Sequence, residues 1–189
     1  MKKIAIVYGA LDTPLQKKAV SLLGELLIAF GDRAAAEKKR RGLCDFNDIA
    51  HAALRLLYTE AGEKTPLCRE IAARFDYVYI DEYQDVNEVQ HRLFEALSQP
   101  RGRFMVGDVK QSIYGFRGAQ PDIFAAIRAA FPALAEAGEE DTAACLSLSA
   151  NFRSTAPVLA FVNLVFGGLM QGVGDHIGYR EEDALVPGL

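Results

Sequence analysis

The chain has 189 residues, half of them apolar and 24% charged, with 16 Gly, 7 Pro and a mean hydropathy of +0.05, which is enough for one good core and excludes a disordered, collagen-like or low-complexity chain. A net charge of -4 excludes a global electrostatic pull toward nucleic acid, because counterion release needs clustered Lys and Arg. The charge is unevenly spread: residues 1–41 hold nine Lys/Arg against four Asp/Glu, the other 148 only 12 against 21.

In chain order, Met1-Lys2-Lys3 precedes a short apolar run, Ile4 to Tyr8, that reads as a strand and is too short for a secretory signal. A cytoplasmic protein is expected. Thr13 as N-cap and Pro14 at the first helical position open a long helix, with Leu15, Ala19, Leu22, Leu23, Leu26 and Phe30 at helical spacing, a break expected at Gly31 and a stop at Gly42. The run Lys38-Lys39-Arg40-Arg41 reads as a cation-rich last turn that complements the helix dipole. Asp45, with Asp48 three residues on, caps a second helix carrying Phe46, Ile49, Ala53, Leu56 and Leu57, expected to run up to Gly62, and Thr65-Pro66 opens a third.

The period then changes. Tyr77-Val78-Tyr79-Ile80 reads as a strand buried on both faces and ends in Asp81-Glu82. A helix over about 87–98 leads to the strand Phe104-Met105-Val106 and then Gly107-Asp108. Gln120-Pro121 starts another helix, Cys145 to Leu148 a last strand, and residues 157–170 a final apolar helix, too short to span a bilayer and interrupted by Asn163, Gly167 and Gly168. Alternating strands and helices predict an α/β domain with a parallel sheet. The expected division is a mainly helical segment 1–62, an α/β core 63–150, and the start of a following domain at 151–189. Cys44, Cys68 and Cys145 form no Cys-x-x-Cys pair and read as reduced thiols.

Ligands of an open parallel sheet bind beyond the carboxyl ends of its strands. Three polar strings follow strands here: Asp81-Glu82-Tyr83-Gln84-Asp85, Gly107-Asp108-Val109-Lys110-Gln111-Ser112, and Asn151-Phe152-Arg153. An aspartate in that position can hold Mg²⁺ through water, and a glutamate beside it can orient or deprotonate an attacking water in phosphoryl transfer. Gln111 can sense a terminal phosphate, and Arg153 can neutralise charge developing on it or form a structural salt bridge.

These strings, with Val86-Asn87 and Gln90 extending the first, Ile113 to Ala119 the second and Ser154-Thr155 the third, resemble motifs II, III and IV of superfamily 1 DNA helicases of the UvrD type. The Val-Lys-Gln form of the second, with Asp45-Phe46-Asn47-Asp48-Ile49 ahead of it, is most similar to the AddA helicase-nuclease subunits, with RecB next. The resemblance covers roughly residues 33–166. It implies a partial RecA-like P-loop NTPase domain that uses Mg²⁺ and ATP, acting on single- and double-stranded DNA in double-strand-break repair and recombination beside a second, AddB-like subunit. By position, Asp81 would ligate Mg²⁺, Glu82 would be the catalytic base, Gln111 would contact the γ-phosphate, and Arg153 would be the arginine finger. Tyr114, Phe116 and Arg117 would face single-stranded DNA; the competing reading of the two rings is core packing.

A phosphate loop, Gly-x-x-x-x-Gly-Lys-Ser/Thr, should precede motif II, and no string here fits. Gly62-Glu63-Lys64-Thr65 has Glu in place of the second Gly and reads as a decoy. The chain is therefore expected to be an excised piece of a helicase, inactive alone. Two other readings stand beside it: a stand-alone degenerate module that binds DNA or a repair partner without turnover, and a metal-dependent nuclease using Asp81, Glu82, Asp85 and Asp108.

Overall fold

The structure, a computed structural model, describes residues 14–170, 178–179 and 181–188. The strand expected over 4–8 and the Thr13 cap lie outside the described residues, as do residues 171–177. The chain divides into two compact units, residues 1–49 and 50–189.

The first unit is dominated by helix α1, Pro14–Arg41, which runs unbroken through Gly31. One glycine costs a helix roughly 1 kcal/mol, and the Leu, Ala and Lys residues around it sustain the helix. None of its residues is buried, so Leu22, Leu26 and Phe30 are exposed. It ends in a Schellman turn: Gly42 has φ 65°, its N–H donates to Lys39 O at 3.3 Å, and Leu43 N–H donates to Lys38 O at 2.9 Å. The basic run is matched by local carboxylates. Lys38 Nζ lies 2.6 Å from Asp45 and 2.8 Å from Asp48, while Arg40 and Arg41 share Glu37. Asp45 and Asp48 accept each other's backbone N–H and so cap helix α2, Phe46–Leu57, as expected.

Helix α2 stops at Leu57 rather than reaching Gly62, because residues 59–62 form a tight turn with Gly62 at φ 82° that brings Tyr58 into an antiparallel bridge with Lys64. Thr65 then caps helix α3, Pro66–Ala72, by accepting the Cys68 N–H. Helix α4, Glu88–Leu97, begins in a complete capping box, Asn87 with Gln90. Leu57, Cys68 and Ala96 are buried together between these helices, with Ile71 and Leu93 packed against them.

Strands β1, Val78–Ile80, and β2, Arg103–Met105, pair in parallel with Ile80 opposite Met105. Ile80, Tyr83 and Val86 form the second core cluster, against Phe94 of α4 and Ile123, Phe124 and Ile127 of helix α5, Pro121–Ala130. The expectation that Tyr77 to Ile80 is buried on both faces is corrected: Val78 and Ile80 face this core, whereas Tyr77, Tyr79 and Phe104 are exposed in a row of tilted ring contacts. An apolar run states only that both faces are greasy, and the described helices cover one of them.

The strand expected at Cys145 to Leu148 is also corrected. Cys145 makes a single bridge to Ala133, Leu146 and Leu148 are exposed, and pairing resumes only at β3, Ala150–Asn151, alongside β4, Val186–Pro187. Among the described residues no strand offers 145–148 a ladder, and an alternating run without a partner does not make a strand. The final apolar helix is α6, Ala156–Leu169. Among the described residues no helix is long and apolar enough to cross a membrane.

Candidate functional site

The parallel pairing of β1 and β2 puts both of their trailing strings at one edge of the sheet. Two hydrogen bonds carry the pairing past the strands, Val106 N–H to Ile80 O and Tyr83 N–H to Val106 O, each 2.9 Å. The backbone turns sharply between them. Glu82, with φ 51° and ψ 44°, is the single non-glycine residue with positive φ among the described residues. Such a left-handed conformation costs an L-residue roughly 1–2 kcal/mol, and strain of this kind gathers at functional sites. Its effect is to leave the Asp81 and Glu82 side chains exposed while Tyr83 and Gln84 are driven into the core.

Asp81 Oδ1 accepts the Glu82 N–H at 2.9 Å. An exposed carboxylate with its second oxygen unengaged by that bond fits Mg²⁺, which is commonly held by one or two carboxylates, water and substrate phosphates. Glu82 Oε2 accepts from Gln84 Nε2 at 2.6 Å, and Gln84 Oε1 accepts the Asp108 N–H at 2.9 Å. Asp108 in turn accepts from Gln111 Nε2 at 3.1 Å and pairs with Lys110 Nζ at 2.7 Å. An unbroken hydrogen-bonded chain thus runs from Glu82 through Gln84 and Asp108 to Gln111.

Burial pushes the Asp108 carboxyl up, but hydrogen bonds from Lys110 and Gln111 outweigh it and hold it below the usual carboxylate range. Burial likewise pulls the Lys110 ammonium down, and its bonds to Asp108 and Asp183 reverse this and leave it raised. Lys110 Nζ is 3.0 Å from Asp183, 73 positions along the chain, so the second string is tied to the turn at residues 181–183.

The four acids of the nuclease reading are not gathered. Asp85 Oδ1 is buried without a hydrogen bond, Asp108 is taken by Lys110 and Gln111, and among the described residues no group of three or more His, Cys, Asp or Glu is placed to hold a metal ion.

Arg153 follows β3 in a turn where Asn151 Oδ1 accepts the N–H groups of Arg153 and Ser154 at 3.0 and 2.8 Å. Its side chain is exposed and makes no ion pair among the described residues, so the strand-end salt bridge is absent there, and no hydrogen bond joins it to Asp81, Glu82 or Gln111. Just beyond Gln111, a short turn presents Tyr114, Phe116 and Arg117 together. The rings lie 6.0 Å apart, and the Arg117 guanidinium sits 5.2 Å from the Tyr114 centroid and 5.5 Å from that of Phe116. Phe116 is 80% exposed and Tyr114 37%, so neither ring is buried in a core in this structure. The Gly62 to Thr65 string is structural: Lys64 Nζ donates to the Glu95 and Ser98 carbonyls at the end of α4, and Thr65 caps α3.

Residues 10–132 match the model of the UvrD/REP helicase N-terminal domain, about two thirds of the chain. The chain belongs to the UvrD/REP helicase family. Among curated relatives of this family member, the AddA subunit of the ATP-dependent helicase/nuclease of Ligilactobacillus salivarius is 36% identical over 178 residues, 93% of the chain and 14% of the relative. The proteins of the same name from Lacticaseibacillus casei and Syntrophomonas wolfei are 42% and 38% identical, each over 88% of the chain and 14% and 13% of their own length. The chain thus spans about one seventh of the curated relatives it matches. Within this helicase segment, two contributors to the site carry no plain sequence signal. Gln84 is one more polar residue inside a polar motif, and the Lys110 to Asp183 pair has no local signature, since a contact across 73 positions leaves no periodicity to read.

Proposed function

We propose that this chain is the part of an AddA-like helicase/nuclease protein that carries the water-activating half of an ATPase, in a partial RecA-like domain, and that couples Mg-ATP hydrolysis to movement along single-stranded DNA during double-strand-break repair and recombination. The carrying observation is that parallel pairing of β1 and β2 sets Asp81-Glu82 and Asp108-Gln111 at the same edge of one sheet, linked by hydrogen bonds. In this reading Asp81 holds Mg²⁺, whose charge offsets that of the phosphates. Glu82 takes the proton of the attacking water, Gln111 reports the γ-phosphate, and Arg153 approaches the developing charge from the following domain. Tyr114, Phe116 and Arg117 bind the DNA strand, a ring stacking on any base because every base has a π-face. An AddB-like protein is the proposed partner, and the cytoplasm the proposed compartment.

The phosphate cradle itself, made chiefly of loop amides and a lysine, has no counterpart string in these 189 residues. The chain alone is therefore proposed to bind Mg-ATP weakly and to show no DNA-stimulated hydrolysis. Calorimetry checks this: a micromolar dissociation constant abolished by Asp81→Ala would refute it. In a full-length helicase carrying this chain, Glu82→Gln should keep ATP binding and lower turnover by orders of magnitude. Normal turnover in that variant would remove Glu82 from the role of base.

A further inference from the structure

We infer that Gln84 is a positioning residue, whose buried amide holds the Glu82 carboxylate in its reactive orientation and locks that orientation to the loop carrying Gln111; this rests on the reading of Glu82 as the base. Glutamine is seldom fully buried, and Gln84 is 1% exposed. Both ends of its amide are committed, Nε2 to Glu82 Oε2 at 2.6 Å and Oε1 to the Asp108 N–H at 2.9 Å, and its own carbonyl accepts from Ser112 Oγ at 3.3 Å. The space it occupies is reserved by Gly107, where any Cβ would stand 2.6 Å from Gln84 Oε1. The geometry has a chemical consequence. Glu82 is solvent-exposed and sits on a left-handed backbone, so without a donor its carboxylate would sample several rotamers. A misplacement of about 1 Å in a reacting group can cost on the order of a hundredfold in rate. Since the amide's other end grips the Asp108 N–H, and Asp108 grips Gln111, a shift of the Gln111 loop would be felt at Glu82.

The test is single-turnover ATP hydrolysis in a full-length helicase carrying this chain, with Gln84→Met, which keeps the volume and removes both hydrogen bonds, alone and combined with Glu82→Gln. The expected result is a tenfold to hundredfold loss of rate from Gln84→Met with ATP affinity within about twofold of the unsubstituted protein, and no further loss when it is added to Glu82→Gln. Gln84→Glu is the second variant. It retains an acceptor for the Asp108 N–H but replaces the donor to Glu82 with a carboxylate, so its rate should fall at least as far as that of Gln84→Met. If Gln84→Met lowers the rate by the same factor with and without Glu82→Gln, or lowers affinity as much as rate, or if Gln84→Glu keeps the unsubstituted rate, Gln84 is merely structural and the inference fails while Glu82 stands. A normal rate in Glu82→Gln alone overturns the reading of the base instead, and the inference with it.

Discussion

A Cβ on Gly107 would stand 2.6 Å from Oε1 of Gln84, and also 3.0 Å from Phe124 Cε1 and 3.1 Å from Tyr83 N. Two of these neighbours are core side chains and the third is backbone, so none can swing aside cheaply. Gly107→Ala should therefore act like an overpacked core, destabilising by about 1–3 kcal/mol. Thermal unfolding measures it. Gly115→Ala is the control, since nothing lies within 4 Å of that position and its φ is not positive. Equal melting temperatures for the two variants would contradict the close approach.

The Lys110 network predicts how stability follows pH. The Asp108 pKa is lowered in the folded state, so its contribution is present above the ordinary carboxylate pKa and is lost as pH falls through the folded value. The Lys110 pKa is raised, so its contribution is present below the ordinary lysine pKa and is lost as pH rises through the folded one. Lys110→Met leaves Asp108 and Asp183 facing each other's charge with less compensation, and should cost about 1–3 kcal/mol near neutrality, somewhat less than breaking a fully buried pair. Denaturant melts at several pH values check both signs. A variant as stable as the unsubstituted chain at pH 7 would show that the pair contributes nothing.

Helix α4 offers a smaller effect with a cleaner cause. Asn87 Oδ1 accepts the Gln90 N–H at 2.9 Å and Gln90 Oε1 accepts the Asn87 N–H at 3.0 Å. Asn87→Ala should cost about 0.5–2 kcal/mol, and Asn87→Ser much less, because serine can accept the same N–H. Melting temperatures of the two variants would separate loss of the cap from loss of side-chain volume.

The features legible in the sequence were those whose cause is local. The reciprocal Asp45 and Asp48 caps rest on residues three apart, and the acid-ended strand at Ile80 announces itself by its change of period. Gln84 was illegible because a glutamine in a polar string reads as solvent-facing. The left-handed turn at Glu82 and the missing side chain at Gly107, 23 positions beyond Gln84, make a buried slot for it. Tyr77 and Tyr79 misled for the opposite reason: they lie in an apolar run and are uncovered in the fold, and hydrophobicity does not say what lies opposite. Leu146 and Leu148 alternate with Ser147 and Ser149 as in a strand, yet a strand is a property of pairs.

The exposed cluster of Tyr114, Phe116 and Arg117 gives the sharpest test of the DNA reading. Phe116 is 80% exposed, so truncating it opens no cavity of consequence, and Phe116→Ala should leave the melting temperature nearly unchanged. In a full-length helicase carrying this chain it should weaken single-strand binding by roughly 1–3 kcal/mol, the worth of one stacked base. Arg117 needs a separate variant, because its guanidinium lies against both rings and its removal changes the ring cluster as well as the charge. Arg117→Ala should flatten the salt dependence of binding if the guanidinium meets a phosphate, since fewer counterions are then released. Melting temperature and single-strand affinity measured on the same Phe116→Ala protein decide the matter. A stable variant with unchanged affinity would remove this surface from the DNA path, and a destabilised one with unchanged affinity would return Phe116 to a packing role.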